Sequence, residues 1–201
     1  MNVTISNKAK FGTEANYTEF ASDGTMKAMG NATTFDDSMV PPTVFRTGGT
    51  ALTLAELVSG IYMHRFDTTD EIQFSVQFPH TMKVNSVIYP HIHLINKDAI
   101  TGAANVTFSF VWTWANIGSS FPAVTSDNNV VTSFADADAL SHKVKAFAAI
   151  TPTTGQGNIS SILIGKLTRE NTGYTANNIF LGGFDIHIEV DTLGSALEYT
   201  K

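Results

Sequence analysis

The stretch Glu71-Ile-Gln-Phe-Ser-Val-Gln-Phe78 alternates strictly, with Ile72, Phe74, Val76 and Phe78 on one side and Gln73, Ser75 and Gln77 on the other. Side chains of an extended chain point to opposite faces in turn, so this is a half-buried strand. A helix would scatter the same apolar residues around its circumference. Val106, Phe108, Phe110, Trp112 and Trp114 repeat the pattern on a longer strand, opposite Thr107, Ser109 and Thr113. These five large side chains are the expected centre of the core.

Outward from these two strands the reading stays extended. Residues 86–96 are apolar on both faces apart from His91 and His93, as in a central strand covered on both sides. Residues 159–168 and 184–191 read as strands, the second with Phe184, Ile186, Ile188 and Val190 inward. Residues 140–150 fit two periods, Leu140, Val144 and Phe147 a helix, Val144, Ala146 and Ala148 a strand. Thr53-Leu-Ala-Glu56 has the form of a capping box opening one helical turn through Val58, with Gly60 as its stop. Strands at turn-bounded spacing without alternating helices predict an all-β fold, an antiparallel β-sandwich of jelly-roll type over residues 43–201. Residues 1–42 are expected to form an N-terminal arm with a β-hairpin. Asp23-Gly24 stands between two short alternating runs, where a two-residue turn needs positive φ, and Pro41-Pro42 marks the boundary. A lone hairpin is marginal in water, so the arm is expected to lean on the main domain or on a neighbouring subunit.

Of the 201 residues, 43% are apolar and only 15% charged. A monomer's surface ordinarily carries more charge, so partners are expected to cover much of this one. The net charge of −6 and scattered basic residues leave no electrostatic footprint for nucleic acid. The absence of cysteine excludes disulfides, thiolate metal sites and catalytic thiols. The opening Met-Asn-Val-Thr-Ile-Ser-Asn-Lys-Ala-Lys lacks the apolar run of a signal peptide, and no stretch approaches the ~20 apolar residues of a membrane helix. No membrane partner is expected.

The sharpest chemical constellation is Pro90-His91-Ile92-His93. Residues two apart on a strand share a face roughly 6.5 Å apart, close enough to share a metal. A cupin site begins with His-x-His in this way but also needs a nearby glutamate, where this chain has Asn96 and Lys97, with Asp98 close by. His187, with Asp185, Glu189 and Asp191 on its face, is the completion the sequence offers, so the candidate ligands are His91, His93 and His187. The competing and favoured reading makes them hydrogen-bonded residues of a core or subunit interface, with no metal or other cofactor. At a trimer axis they would instead bind an ion between subunits. Asp36-Asp37 and Asp136-Ala-Asp138 have the makings of a carboxylate pair, but in Asn- and Thr-rich surroundings they read as turn and cap residues. No nucleophile elbow, dinucleotide-binding turn or phosphate loop is present, and no catalytic residue is assigned. Trp112 and Trp114 alternate with the core rather than forming a sugar platform; Phe121 and Tyr174 are the better exposed aromatic candidates.

Three stretches resemble a family of bacteriophage virion structural proteins: Asp23-Gly-Thr through Asp37; Ser75-Val-Gln-Phe-Pro-His80 leading to Tyr89-Pro-His-Ile-His93; and Gly183-Phe-Asp-Ile-His-Ile-Glu-Val-Asp-Thr-Leu-Gly-Ser195 with Glu198-Tyr-Thr-Lys201. Leu94 stands where the family has tryptophan. The resemblance implies a virion component with a β-sandwich body, made in the host cytoplasm. Together with the low charge, it leads to the expectation of a non-enzymatic homotrimer that decorates or cements the head by binding the major capsid protein or another virion protein. A neck, tail or fibre-base component, a host-glycan-binding adhesin and a cupin-like metal enzyme are the alternatives.

Overall fold

The computed structural model describes residues 9–21, 25–40, 46–47 and 50–195. In chain order the strands are β1 (Ala9–Gly12), β2 (Tyr17–Phe20), β3 (Met26–Met29), β4 (Thr34–Val40), β5 (Arg46–Thr47), β6 (Thr53–Val58) and β7 (Ile61–Arg65). They continue with β8 (Glu71–Gln77), β9 (Tyr89–Asn96), β10 (Asn105–Ala115), β11 (Thr125–Ser133), β12 (His142–Ala146), β13 (Ile162–Gly173) and β14 (Ile179–Val190). No α-helix occurs among the described residues, and none is therefore long and apolar enough to cross a membrane. The fold is all-β, and every strand pairing is antiparallel.

Two sheets form the sandwich. One runs β11-β10-β13-β8-β5 and the other β12-β9-β14-β7-β6, with β4 also paired to β14. Their inner faces meet through aromatic rings. Phe184 of β14 lies 4.5 Å from Phe74 of β8 and 5.3 Å from Phe110 of β10, while Phe147, just beyond β12, packs 5.2 Å from Phe110. Burying each such ring stabilises the fold by roughly 1.5–3 kcal/mol, and favourable ring pairing adds about 0.5–1.5 kcal/mol. Trp114 is wholly buried and donates its indole N–H to Ser161 Oγ at 2.9 Å; Trp112 is partly buried against the same core.

Gly165 sits at an inward position of β13, between Leu163 and Leu167, opposite Phe74 on β8 and Trp112 on β10. A Cβ there would lie 2.6 Å from Phe74 Cζ and 3.0 Å from Phe110 Cε2. Glycine is required here for space, since the two rings occupy the volume that its missing side chain leaves.

The segment from Thr53 is a strand, not a helical turn. Ser59 and Gly60 both have positive φ, 41° and 82°, the pairing that a two-residue hairpin turn demands, and Val58 faces Ile61 across it. The Glu56 carboxylate accepts the Gly60 N–H at 2.7 Å instead of reaching back to cap Thr53. Residues 142–146 likewise resolve to a strand, β12, because its partner β9 fixes them extended. Asp36 and Asp37 lie on β4 rather than in a turn.

The first three strands form a separate small sheet, β1-β2-β3, and the Asp23-Gly24 turn between β2 and β3 lies outside the described residues. This sheet leans on the end of β14: Ala28 N–H donates to Asp191 O at 2.6 Å, and Lys27 faces Thr192. β4, N-terminal to Pro41-Pro42, is hydrogen-bonded into the main sheet along β14.

A buried guanidinium closes one end of the sandwich. Arg169 is fully buried and donates to the carbonyls of Phe66 (2.5 Å), Tyr174 (2.8 Å) and Ala176 (3.1 Å). Desolvation lowers its pKa, and the negative charge of Asp67 and Asp70 opposes the shift. Asp70 is itself buried; burial chiefly raises its carboxyl to a pKa of about 6, against the Asp67 N–H that its Oδ2 accepts at 2.8 Å.

Two outcomes follow for stability. Gly165→Val is expected to destabilise by about 1–3 kcal/mol through overpacking, read as a lower urea midpoint at unchanged slope. Asp70, with its folded-state pKa raised, holds its proton to higher pH in the folded than in the unfolded chain. Its contribution therefore favours folding at pH 4 and is lost as pH rises through 6. Urea unfolding across that window should show the slope, and Asp70→Asn should remove it.

Candidate functional site

The same alternation that sends Phe184, Ile186 and Ile188 into the core sends Asp185 and His187 to the outer face of β14. On β9, Ile92 and Leu94 point inward and His91 and His93 outward. Register then gathers them. His91 faces Asp185, His187 faces Asp37 of β4, and His93 faces Val144 of β12, next to His142.

The result is a row of four histidines and two aspartates across four adjacent strands. His91 Nε2 lies 2.5 Å from Asp185 Oδ1, and His93 Nε2 lies 3.2 Å from Asp185 Oδ2. Behind His93, its Nδ1 meets His142 Nε2 at 2.8 Å. At the other end His187 Nε2 is 2.6 Å from Asp37 Oδ1, and the His187 ring stands edge-on to His91 at 4.5 Å.

Burial grades along the row. His91 and Asp185 are only 8% and 5% exposed, whereas the His187 and Asp37 side chains are nearly half exposed. Burial raises the pKa of Asp185; the neighbouring His91 and His93 imidazoles work against that shift, and the charge of Asp37 adds to it. His91 Nδ1 lies 3.4 Å from the Tyr89 carbonyl, which can only accept, so the ring proton is assigned to Nδ1. The close approach of His91 Nε2 to Asp185 Oδ1 is not aligned as a hydrogen bond, and that buried oxygen has no other aligned donor.

The three histidines singled out by sequence thus come together, but with different partners than expected. His91 and His93 share Asp185, while His187 turns to Asp37. Glu189 leaves the row to bind Lys83 at 2.7 Å and Thr33 at 2.5 Å, and Asp191 lies 3.9 Å from Lys27. Where the cupin pattern would place its glutamate, buried Asn96 donates to the carbonyls of Asp98 and Asp138, and Lys97 donates to Glu56 O. Asp136 accepts the Gly102 N–H at 2.9 Å, a turn role. Asp37 and His142 are the members that sequence reasoning missed. His142 stands in His-Lys-Val-Lys-Ala, where nothing local marks it, and only the pairing of β12 with β9 brings it to His93.

His91→Ala is expected to destabilise the fold by about 1–3 kcal/mol, because it removes a buried ring packed between His93 and His187 and leaves a cavity beside Asp185. His187→Ala, at the half-exposed rim, is expected to cost less than about 1 kcal/mol. Urea unfolding of both variants at pH 7 distinguishes the two ends of the row.

No protein-family model matches the chain, and no curated protein matches it. Among solved structures it is similar to the enzymatically active domain of bacteriophage CBA120 tailspike protein 4, at 8% identity and a TM-score of 0.30. That match covers 78% of this chain and 19% of the tailspike chain, so this chain spans about a fifth of the other's length, and a likeness of that degree carries no weight for fold or role.

Proposed function

We propose that this chain is a non-enzymatic structural protein of a bacteriophage virion, a homotrimer that decorates the head by seating on the major capsid protein. The observation that carries the self-association is the outer face of the β4-β14-β9-β12 sheet. Around the buried His91–Asp185 pair it exposes Phe35 (58%), Met39 (71%), Tyr89 (39%) and Val144 (53%). An apolar rim around a desolvated polar centre has the composition of a protein interface rather than of a free surface. The low charge of the chain, 15% Asp, Glu, Lys and Arg, supports the same reading. The virion part is supported by the resemblance carried by Pro90-His-Ile-His93 and by Asp185 through Ser195.

On this reading the mechanism is mass action. A trimer that binds the assembled lattice and not its free subunits stabilises the lattice by its binding free energy, and no covalent step is needed. A stable seat of this kind buries about 1,200–2,000 Å² of total surface. The apolar rim serves contacts between copies, and the loops at the ends of the sandwich remain for the capsid.

Native mass spectrometry of the purified chain is expected to give a trimer, three times 21.7 kDa. The trimer should co-sediment with purified capsid shells and raise their melting temperature. Met39→Glu together with Val144→Glu should give monomers that no longer bind. A monomeric wild-type chain that ignores shells would overturn the reading, and a few copies per virion would move the protein to the neck, tail or fibre base.

A further inference from the structure

We propose that His91, His93 and Asp185 hold one divalent first-row transition-metal ion, with His142 fixing the orientation of His93 from behind. This inference does not rest on the virion reading. Ligand atoms of these three residues lie within 4.8 Å of one another, two from the middle of β9 and one from the facing position on β14. Strand interiors hold such donors more rigidly than loops do.

The electronic arrangement favours a cation between them. With its proton on Nδ1, toward the Tyr89 carbonyl, His91 keeps a lone pair on Nε2 whose axis passes beside Asp185 Oδ1 rather than at it. Two lone-pair-bearing atoms 2.5 Å apart, with axes that pass beside one another, are those of two ligands that converge on one cation. A proton on Nε2 would miss Oδ1, because the contact is not aligned as a hydrogen bond. A metal ion draws on both lone pairs at once and satisfies the carboxylate oxygen that otherwise has no aligned donor.

The distances suit this. Zinc bonds of about 2.0–2.1 Å in tetrahedral geometry place ligand atoms about 3.3 Å apart. His93 Nε2 to Asp185 Oδ2 is already 3.2 Å, and the His91 contact, at 2.5 Å, needs to open by less than 1 Å. The outer nitrogens are held as metal-bound histidines require: His91 Nδ1 by a carbonyl and His93 Nδ1 by His142. Two imidazoles and one carboxylate choose zinc, cobalt, nickel, copper or iron over calcium and magnesium. The His93 side chain is 27% exposed, so solvent reaches this edge of the set.

A second set, Asp37, His91 and His187, also clusters within 4.8 Å. Its Asp37 and His187 are half exposed and already satisfy each other at 2.6 Å. The buried set is therefore the one assigned.

Protein stripped with chelator and titrated with Zn²⁺ by calorimetry, with metal counted by mass spectrometry, is expected to take up one ion per chain. Mg²⁺ and Ca²⁺ should show no binding, and Co²⁺ should give the visible absorption of a four-coordinate nitrogen–oxygen site. Asp185→Asn and His93→Ala should each abolish the stoichiometric site, and His142→Ala should weaken it roughly 10–100-fold. His187→Ala should leave it unchanged. Because His93 lies at the edge of the buried zone, its variant is expected to fold, and far-ultraviolet circular dichroism of the metal-free protein checks this. Zn²⁺ should raise the melting temperature of the wild type and not that of His93→Ala. Failure of the wild type to bind Zn²⁺ stoichiometrically would overturn the proposal. Binding that survives Asp185→Asn and His93→Ala but is lost in His187→Ala would do so equally.

Discussion

The contact of Phe184 with Phe74 and Phe110 across the sandwich is the constraint on which the rest depends. It needs the gap at Gly165, since any side chain there would displace the rings. Because strand side chains alternate, anchoring Phe184 inward also fixes Asp185 and His187 outward. A one-residue slip of β14 would bury the carboxylate in the core and expose the phenylalanine. The surface chemistry of this sheet is thus set from its interior.

Arg169 and Asp185 are desolvated charges handled in different ways. At one end of the sandwich Arg169 is surrounded by backbone carbonyls, neutral acceptors fixed by the loops around it, with the Asp67 and Asp70 charges nearby. On the outer face Asp185 is surrounded by imidazoles, which can carry either a proton or a lone pair. The first arrangement is chemically inert: a guanidinium does not lose its proton, and its role is to hold the segments around Phe66 and Tyr174 against β13. The second is chemically adaptable, since each of its members can exchange its proton for another cation.

Much of this was legible in the sequence. The alternation of Ile72, Phe74, Val76 and Phe78, and of Val106 through Trp114, identified the core strands directly because burial on one face leaves a period of two. The site was legible in part. His91 and His93 share a face by that same rule, and Asp185 and His187 share theirs. What remained hidden depended on pairing between strands distant in the chain. Asp37 read as a turn residue because it stands in an Asn- and Thr-rich stretch, and its position opposite His187 follows only from the β4–β14 register. His142 sits 49 residues from His93. The helical reading at Thr53 failed for a different reason. Thr-x-x-Glu followed by glycine is also what a hairpin with Glu56 closing on Gly60 looks like, and tertiary pairing chose the hairpin.

Edge strand β12 carries one further implication. Its Lys143 and Lys145 lie opposite Leu94 and Ile92, so they occupy inward-facing positions at the margin of the sheet, half-buried. Just beyond it, Ala148 N–H is tied to Asp127 of β11, which fastens the margins of the two sheets together at that point. Inward lysines at a margin make the addition of another strand costly, because an incoming chain would bury two ammonium groups. However concentrated the protein becomes in a cell, its copies are steered away from zipping together backbone to backbone along this margin. Any association of copies is left to side chains on the broad faces, where a single substitution can tune it, so such association would stay separable from fibrous aggregation.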